Sequence, residues 1–300
     1  MRRNRVGIAA AVITTSAFAA LVSTPLKAQD DLAGPLNFYE IETKYIFGFT
    51  EGSGVGLEGE KELSLDTIAR LGKRDGRYVA TETKWEFEYT PNQYVQLELG
   101  PLTASHYIRN VTDLDDRNTF RPSGFFGEFR YLLVDRPASP VAATISFEPV
   151  YRRVDETSGV PVQNFEFETK LQADVELIKN RLYGAVNLIY EPETTRTAEG
   201  IWEHESIFGL TTALAVRPTP TLVIGAELDY YRHYDSLGPS HFTGDALFLG
   251  PTLYYKFARK WFVTAAWNAQ IWGRETETGN HLNLEEFSRQ RAKLKLAVEF

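Results

Sequence analysis

A long alternation of apolar and polar residues places the strongest constraint on how this chain can fold. In "FEFETKLQADVEL", residues 165–177, the odd positions are apolar or small and the even positions are polar. Successive side chains of a β-strand point to opposite faces, whereas an amphipathic helix repeats its apolar positions every three or four residues. Strands of soluble proteins usually run about 5–6 residues, and a tilted strand that crosses a bilayer needs about 9–11. The segment therefore predicts a long strand with one apolar and one wet face.

The same pattern recurs along the rest of the chain, and short connections alternate with long ones. Further strands are predicted at 61–71, 81–89, 94–107, 125–133, 145–152, 182–191, 205–216, 222–230, 246–257, 261–272 and 291–300. The long connections are predicted at 108–124, 154–164, 192–201, 236–244 and 273–287. Outer-membrane barrels have short periplasmic turns and longer extracellular loops. The pattern predicts an all-β fold: a transmembrane antiparallel up-and-down β-barrel of about twelve strands over residues 61–300.

One more alternating stretch complicates the number of strands. Residues 39–49, within an N-terminal segment that spans 29–60, would add a thirteenth strand. Bacterial barrels of this type have an even number of strands. Residues 39–49 therefore either remain outside the wall, for example in the lumen, or pair with a further strand to give fourteen.

The start of the chain has the features of an export signal. A basic "MRRNR" precedes an apolar run over 6–22, and Leu26 and Ala28 fit the small-residue rule for cleavage before Gln29. We expect residues 1–28 to be removed; a transmembrane anchor is the alternative, although the run is short for a span. After residue 28 no apolar run approaches 20 residues, which excludes a helical membrane protein.

The end of the chain resembles a known class of proteins. "RAKLKLAVEF" alternates and closes on Phe300, and in this it is similar to Gram-negative outer-membrane barrels. The resemblance implies an outer-membrane location, contact with outer-membrane lipid, and recognition of the last strand by the barrel-assembly machinery, with Phe300 as the signal. Residues 40–62 and "DDRNTF" (115–120) also resemble a group of outer-membrane barrel proteins, a resemblance that implies no activity.

The polar faces of the predicted strands define a charged lumen with more acidic than basic groups. Ion pairs should neutralise part of the closing seam, where the last strand meets the first, because the last strand carries Arg289, Arg291, Lys293 and Lys295 and the first carries Glu62 and Asp66. Charges this dense cannot remain unpaired in a dry core. The lumen is therefore either a water-filled channel or plugged by cross-strand ion pairs, and a size of twelve strands lies between filled and open barrels. The predicted lumen-lining residues are Glu82, Lys84, Glu86, Glu88, Glu128, Arg130, Glu166, Glu168, Lys170, Asp174, Glu176, Glu227, Asp229, Lys293 and Lys295.

Signals for chemistry are weak. The chain has no cysteine, which excludes disulfides and thiolate chemistry, and its net charge of −8 argues against nucleic-acid binding. Ser105 and His106 are adjacent, so a strand would point them to opposite faces. Asp235 and Ser236 near His233 are ordinary residues for a loop mouth. No catalytic, metal or cofactor residue and no cofactor is predicted.

Two segments rich in glycine or aspartate have compositions that also occur in ligand-binding loops. Residues 48–60 are glycine-rich but lack the lysine and helix of a phosphate loop, and "DLDDRN" (113–118) lacks the spacing and final glutamate of an EF-hand. The sequence therefore favours a small, monomeric, channel or transporter-like barrel for an unknown solute or ion. The alternatives are an outer-membrane enzyme acting on lipid or peptide, and a purely structural barrel.

Overall fold

Twelve antiparallel strands close into a barrel, as the sequence predicts, with no place for the alternative of fourteen. The structure, a computed structural model, describes residues 41, 43–136, 139–276 and 280–300. The strands are β1 Lys61–Leu71, β2 Arg77–Asn92, β3 Val95–Arg109, β4 Arg117–Val134, β5 Val141–Val154, β6 Pro161–Ile178, β7 Leu182–Arg196, β8 Trp202–Thr219, β9 Leu222–Tyr234, β10 Phe242–Ala258, β11 Trp261–Glu275 and β12 Gln290–Glu299.

Each strand pairs with its neighbours in the chain, and β12 pairs with β1 to close the wall. At this seam Lys293 Nζ lies 3.0 Å from Asp66 Oδ2, and Lys295 Nζ lies 3.3 Å from Glu62 Oε1. Lys293 and Lys295 thus form ion pairs at the seam as the sequence predicts, whereas Arg291, which was also expected there, pairs with Asp229 on β9 at 2.8 Å. Closure leaves no unpaired strand edge between β1 and β12, which is the condition for a sheet surrounded by hydrocarbon.

The two ends of the barrel differ. One end, here the turn end, carries Lys61, Phe300 and the short turns such as 93–94, 220–221 and 259–260. The other, the loop end, carries the connections 72–76, 110–116, 155–160, 197–201, 235–241 and 276–289.

Several loops are shorter than the sequence pattern predicts. The predicted connections 108–124 and 192–201 were too long, because β4 begins at Arg117, β7 runs to Arg196 and β8 begins at Trp202. Apolar alternation fades in these segments, but the hydrogen-bonded pairing between strands continues past it, for example at Arg196–Trp202.

Apolar side chains cover the outside of the wall and charged side chains fill the inside. In β6, Phe165 and Phe167 are 52% and 45% exposed, whereas Glu166 and Lys170 are 9% and 8% exposed. Soluble proteins show the opposite distribution, and a continuous apolar belt of this kind is stable against lipid chains. The alternation in residues 165–177 is therefore explained by a wall whose outer residues are compatible with lipid and whose inner residues line a polar lumen.

Helices contribute little to the described chain. None of the described residues forms a helix long and apolar enough to cross a membrane. Residues 1–28, with the predicted export signal, lie outside the described residues.

The segment 43–56, here called the plug, lies within the lumen instead of joining the wall. It begins with a short 3-10 turn at Thr43–Tyr45 and continues as bends, so the described part of 39–49 forms no thirteenth strand. Ile46 and Phe47 are fully buried and pack with inward-facing residues near the turn end, among them Tyr183 and Phe262. Inside the lumen the segment has the two surroundings that a strand of the wall would have. Apolar residues near the turn end lie on one side of it, and polar residues of the inner wall lie on the other.

Candidate functional site

Lys44 attaches the plug to three neighbouring strands. Its ammonium group contacts the carboxylate of Glu98 and lies 3.4 Å from Glu88 Oε2 and 3.5 Å from Glu128 Oε2. It also donates a hydrogen bond to Gln96 Oε1 at 3.0 Å. The Lys44 side chain is only 4% exposed, so its charge is neutralised within the lumen and not by solvent.

The carboxylates around Lys44 belong to a row that crosses five strands. The strand register places Glu299 opposite Glu62, Glu62 opposite Glu88, Glu88 opposite Glu98, and Glu98 opposite Glu128. Like charges directly opposite each other destabilise a sheet, so the row depends on nearby cations. Lysines supply them: Lys256 contacts Glu299, Lys295 contacts Glu62, and Lys44 contacts the remaining three. The plug therefore completes the charge balance of this row.

Glu51 is the second charged anchor of the plug. Its carboxylate oxygens lie 2.7 Å from Arg130 Nη1 and 2.9 Å from Lys170 Nζ. Burial alone would raise the pKa of Glu51, but Lys170 and Arg130 hold that pKa well below its usual value. The plug thus contributes one cation and one anion, and each is matched by the wall.

Backbone groups of the plug also bind the wall. Asp174 Oδ2 accepts hydrogen bonds from the Ser53 amide (2.6 Å) and hydroxyl (2.9 Å), and Thr144 Oγ1 donates to Ser53 O (2.6 Å). Glu227 Oε2 accepts from the Thr50 amide at 3.0 Å. Since buried peptide groups need partners, these contacts let an irregular segment lie inside the barrel.

A glycine allows the plug to fold this tightly. A Cβ at Gly52 would lie 2.1 Å from Thr43 O and 2.9 Å from Asp174 Oδ2. No side chain fits there without moving backbone, so the plug could not adopt the same path with another residue at this position.

An open cavity lies between the plug and the loop end. It has a volume of about 420 Å³, and the plug residues Lys44, Tyr45, Phe49 and Glu51 line its floor. At the loop end, residues 280–289 fold across the lumen, and Lys73 Nζ donates hydrogen bonds to Glu285 O (2.6 Å) and Phe287 O (3.2 Å). Burial lowers the pKa of Lys73 to about 8. The plug thus occupies the lumen at the turn end, and residues 285–288 line the cavity at the other.

The wall of the cavity is acidic on one side. Glu166, Glu193 and Glu205 lie opposite one another on β6, β7 and β8. Arg152 contacts Glu166 and also binds Glu82 at 2.9 Å, so one guanidinium serves carboxylates on both sides. The charges can hold hydrated cations or polar solutes near this wall.

The structure places the lumen-lining residues predicted from sequence on the inner face, buried or half-buried, and it brings many of them together as ion pairs. Lys84 contacts Glu148, Lys295 contacts Glu86 at 2.6 Å, Lys170 contacts Glu168 at 2.8 Å, and Arg291 contacts Asp229 at 2.8 Å. Those bound to the plug are Glu88, Glu128, Arg130, Lys170, Asp174 and Glu227. The remainder, Glu82, Glu166, Glu176 and Lys293, contact wall or turn residues.

The histidines do not assemble a hydrolase site with the serines considered above. His106 Nε2 lies 3.1 Å from Glu156 O, and Ser236 Oγ donates to Gly238 O. His233 instead lies between Glu205 (Nε2 to Oε2, 3.3 Å) and Thr243 (Nδ1 to Oγ1, 2.7 Å). Among the described residues no group of three or more histidine or carboxylate side chains is placed to hold a metal ion.

Sequence reasoning offered the lumen as one location for residues 39–49, which include Lys44 and Tyr45, but it did not identify Glu51 and Ser53 as lumen residues. Tyr45 donates to Glu88 Oε2 at 2.5 Å and stacks on Phe262 with ring centroids 5.3 Å apart. One signal in the sequence pointed to this location. The residues form a polar and aromatic stretch ahead of the first strand, and an even number of strands leaves that stretch out of the wall. Nothing local indicates their partners, which lie on strands far along the chain.

These features define a class: a closed twelve-stranded β-barrel with an apolar outer belt, a charged lumen and an internal plug. Residues 39–300 match the model of the Family of unknown function (DUF6662), and the chain therefore belongs to this family. No curated protein matches the sequence.

Comparison with solved structures finds similar chains at low sequence identity, and the first of them shares the fold. The COG4313 outer membrane channel from Pseudomonas putida F1 is 9% identical and has a TM-score of 0.55, over 83% of this chain and 97% of that one. The NanC porin is 9% identical with a TM-score of 0.46, over 79% and 98% of the two chains. The KdgM porin in complex with disordered oligogalacturonate is 13% identical with a TM-score of 0.45, over 80% and 99%.

Proposed function

We propose that the protein is an outer-membrane channel or transporter-like barrel for a small polar solute or ion, and that the plug closes it at rest. An outer-membrane location is supported by the apolar belt on the outside of the wall, because such a belt is stable in contact with lipid chains. The C-terminal strand then carries the assembly signal: the amide of Phe300 pairs with Lys61 O at 2.8 Å, and its ring is 53% exposed. Cleavage before Gln29 would release the mature chain.

The observation that carries this proposal is the charged lumen with a charged plug. Ion pairs buried in place of apolar side chains add little stability and are often neutral or costly. A barrel that served only as a scaffold could fill its interior with apolar residues at lower cost. Lys44 and Glu51 instead hold the plug through contacts that water and salt can replace, as a removable closure requires.

One arrangement supports an enzyme as the second candidate. Thr243 Oγ1, His233 and the Glu205 carboxylate follow one another within hydrogen-bond reach, the order of groups that activates a hydroxyl nucleophile. Hydrolysis of phospholipid or peptide by the refolded protein, abolished by His233→Gln, would favour this alternative over transport.

Conductance in planar bilayers tests the channel. Lys44→Glu places a fourth carboxylate among Glu88, Glu98 and Glu128, so repulsion should displace the plug and raise the open fraction at least tenfold over the parent protein. Lys179→Glu makes the same charge change on an exposed turn and should leave conductance unchanged. If neither the parent protein nor Lys44→Glu conducts, the proposal is wrong and the structural barrel is favoured.

A further inference from the structure

A groove opens in the outer wall of the barrel, separate from the lumen. It has a volume of about 500 Å³ and lies across β2 to β5. The exposed side chains of Trp85, Pro101, Phe125 and Arg153 form its sides. Its base includes Leu102, Ser123 and Val154, which are buried. Side chains of both faces of the wall therefore line one depression in the apolar belt.

The pairing of the strands explains why the wall opens here. The pairing of β4 with β5 ends at Gly124–Arg152, whereas that of β3 with β4 continues to Ile108–Arg117. The β3–β4 register also shifts, from Leu102–Gly124 to Thr103–Pro122, which leaves Ser123 as an extra residue of β4. Such a bulge bends its strand and re-aims side chains. β4 thus separates from β5 on the loop-end side of Gly124.

Close approach of the backbone fixes the lower end of the groove. A Cβ at Gly124 would lie 1.9 Å from Tyr151 O, so β4 and β5 meet tightly at this level before they separate. Pro122, next in the groove, has no N–H to donate to a neighbouring strand. The opening is therefore determined by the sequence of β4 itself.

Two polar groups in this apolar groove have no hydrogen-bond or ion-pair partner, respectively, in the part of the chain that the structure describes. Ser123 is fully buried, and its hydroxyl has no hydrogen-bond partner among the described residues. A buried polar group without a partner is costly. At the loop end of the groove Arg153 is exposed, and no described carboxylate forms an ion pair with it. A guanidinium on a lipid-facing wall is stabilised by a neighbouring anion, and a phosphate group matches the geometry of its N–H donors.

We propose that this groove binds one lipid molecule with an acyl chain and a net negative phosphate headgroup. The headgroup contacts Arg153, the chain lies along Trp85, Pro101 and Phe125, and the Ser123 hydroxyl bonds the ester region. The surrounding belt already faces lipid, which supplies this occupant. Trp85 Nε1 donates to Thr103 Oγ1 at 3.1 Å, so the indole is held in position before the lipid binds. The site does not depend on whether the lumen conducts.

Native mass spectrometry of the purified protein tests this site, with dimyristoyl phosphatidylglycerol as the probe. The parent protein should retain one lipid, and Arg153→Gln should weaken retention at least tenfold. Thr103→Trp, which fills the groove, should do the same while Arg153 is still present. Thr212→Trp changes another half-buried threonine, on β8 away from the groove, and should retain the lipid. Heat-modifiable migration on gels verifies that each variant folds. If Thr103→Trp does not fold, the test rests on Arg153→Gln, which changes an exposed residue.

Two comparisons separate the parts of the proposed ligand. Phosphatidylcholine, which has the same chains and no net charge, should be retained at least tenfold less well, and equal retention would overturn the assignment of Arg153. Inorganic phosphate should not displace the lipid, and full displacement would overturn the role of the chain. Equal loss of lipid from Thr212→Trp and Thr103→Trp would overturn the groove as the site.

Discussion

Lys44, ahead of the first strand, contacts the carboxylate of Glu98 on β3 inside the barrel. This ion pair joins the plug to the wall of the barrel. Glu98 belongs to the row formed by Glu299, Glu62, Glu88, Glu98 and Glu128. When Lys44 is absent from the row, three of its carboxylates lose their shared cation, and the field at this level of the lumen becomes strongly negative.

The first prediction follows from that row and concerns ion selectivity. Rings of carboxylates favour cations in pores, so channels opened by Lys44→Glu should pass cations over anions. Reversal potentials under a salt gradient measure the preference, which should weaken as salt screens the charges. Adding Glu98→Gln to the opened variant should reduce the preference. Anion selectivity would contradict this role of the row.

The second prediction concerns the two faces of β6. Phe167→Arg puts a charge on the lipid-facing side and should destabilise the folded barrel by about 2–4 kcal/mol, the cost near the bilayer midplane. Glu168→Arg, one residue on, points into the lumen and should avoid that cost, although it removes the contact with Lys170. Urea unfolding in lipid vesicles compares the two. A larger loss for Glu168→Arg would show that the faces are reversed.

The third prediction concerns pH. The pKa of Glu51 is held well below its usual value by Lys170 and Arg130, against the effect of burial. A carboxyl of this kind stabilises the closed state above its ordinary pKa of about 4.3, and the contribution is lost as the pH falls through the depressed pKa. Closure should therefore be constant from about pH 8 to 5 and weaken only below about pH 4.

Glu51→Gln provides the control for this pH dependence. It removes the titrating group but keeps a similar shape, so the open fraction should be raised wherever Glu51 is ionised in the parent protein, and the two proteins should converge at acid pH. Arg130 and Lys170 face Glu51 directly, and Glu128 and Glu168 lie beside them. An open fraction of Glu51→Gln equal to that of the parent protein at pH 7 would show that Glu51 does not hold the plug in this way.

Much of the wall could be predicted from local pattern. The period of two in residues 165–177 defines the strand and its two faces, and one residue of shift would exchange them. The same reasoning placed the strand with Lys293 and Lys295 beside the strand with Glu62 and Asp66, because an even-numbered barrel must close its last strand on its first. These conclusions need only strand geometry and the order of strands.

The plug could not be predicted in the same way. Its alternation over 39–49 is also that of a strand, and what decides against a strand is the set of partners supplied by the wall. Those partners, such as Glu128 for Lys44 and Asp174 for Ser53, are far away in sequence. The outer groove is similar: the pattern of β4 predicts a strand, but not that its pairing with β5 ends at Gly124.

The most direct test of the account is a reversible cross-link between the plug and the wall. The Ser53 hydroxyl donates a hydrogen bond to Asp174 Oδ2 on β6 at 2.9 Å, and the chain has no native cysteine. Ser53→Cys with Asp174→Cys, added to the opened Lys44→Glu variant, should lose conductance on oxidation and regain it on reduction, with the disulfide verified by intact mass. Thr67→Cys with Thr83→Cys, whose hydroxyls are 2.9 Å apart in the wall, should conduct equally in both states. Full conductance through the oxidised plug cross-link would contradict the claim that residues 43–56 close the barrel.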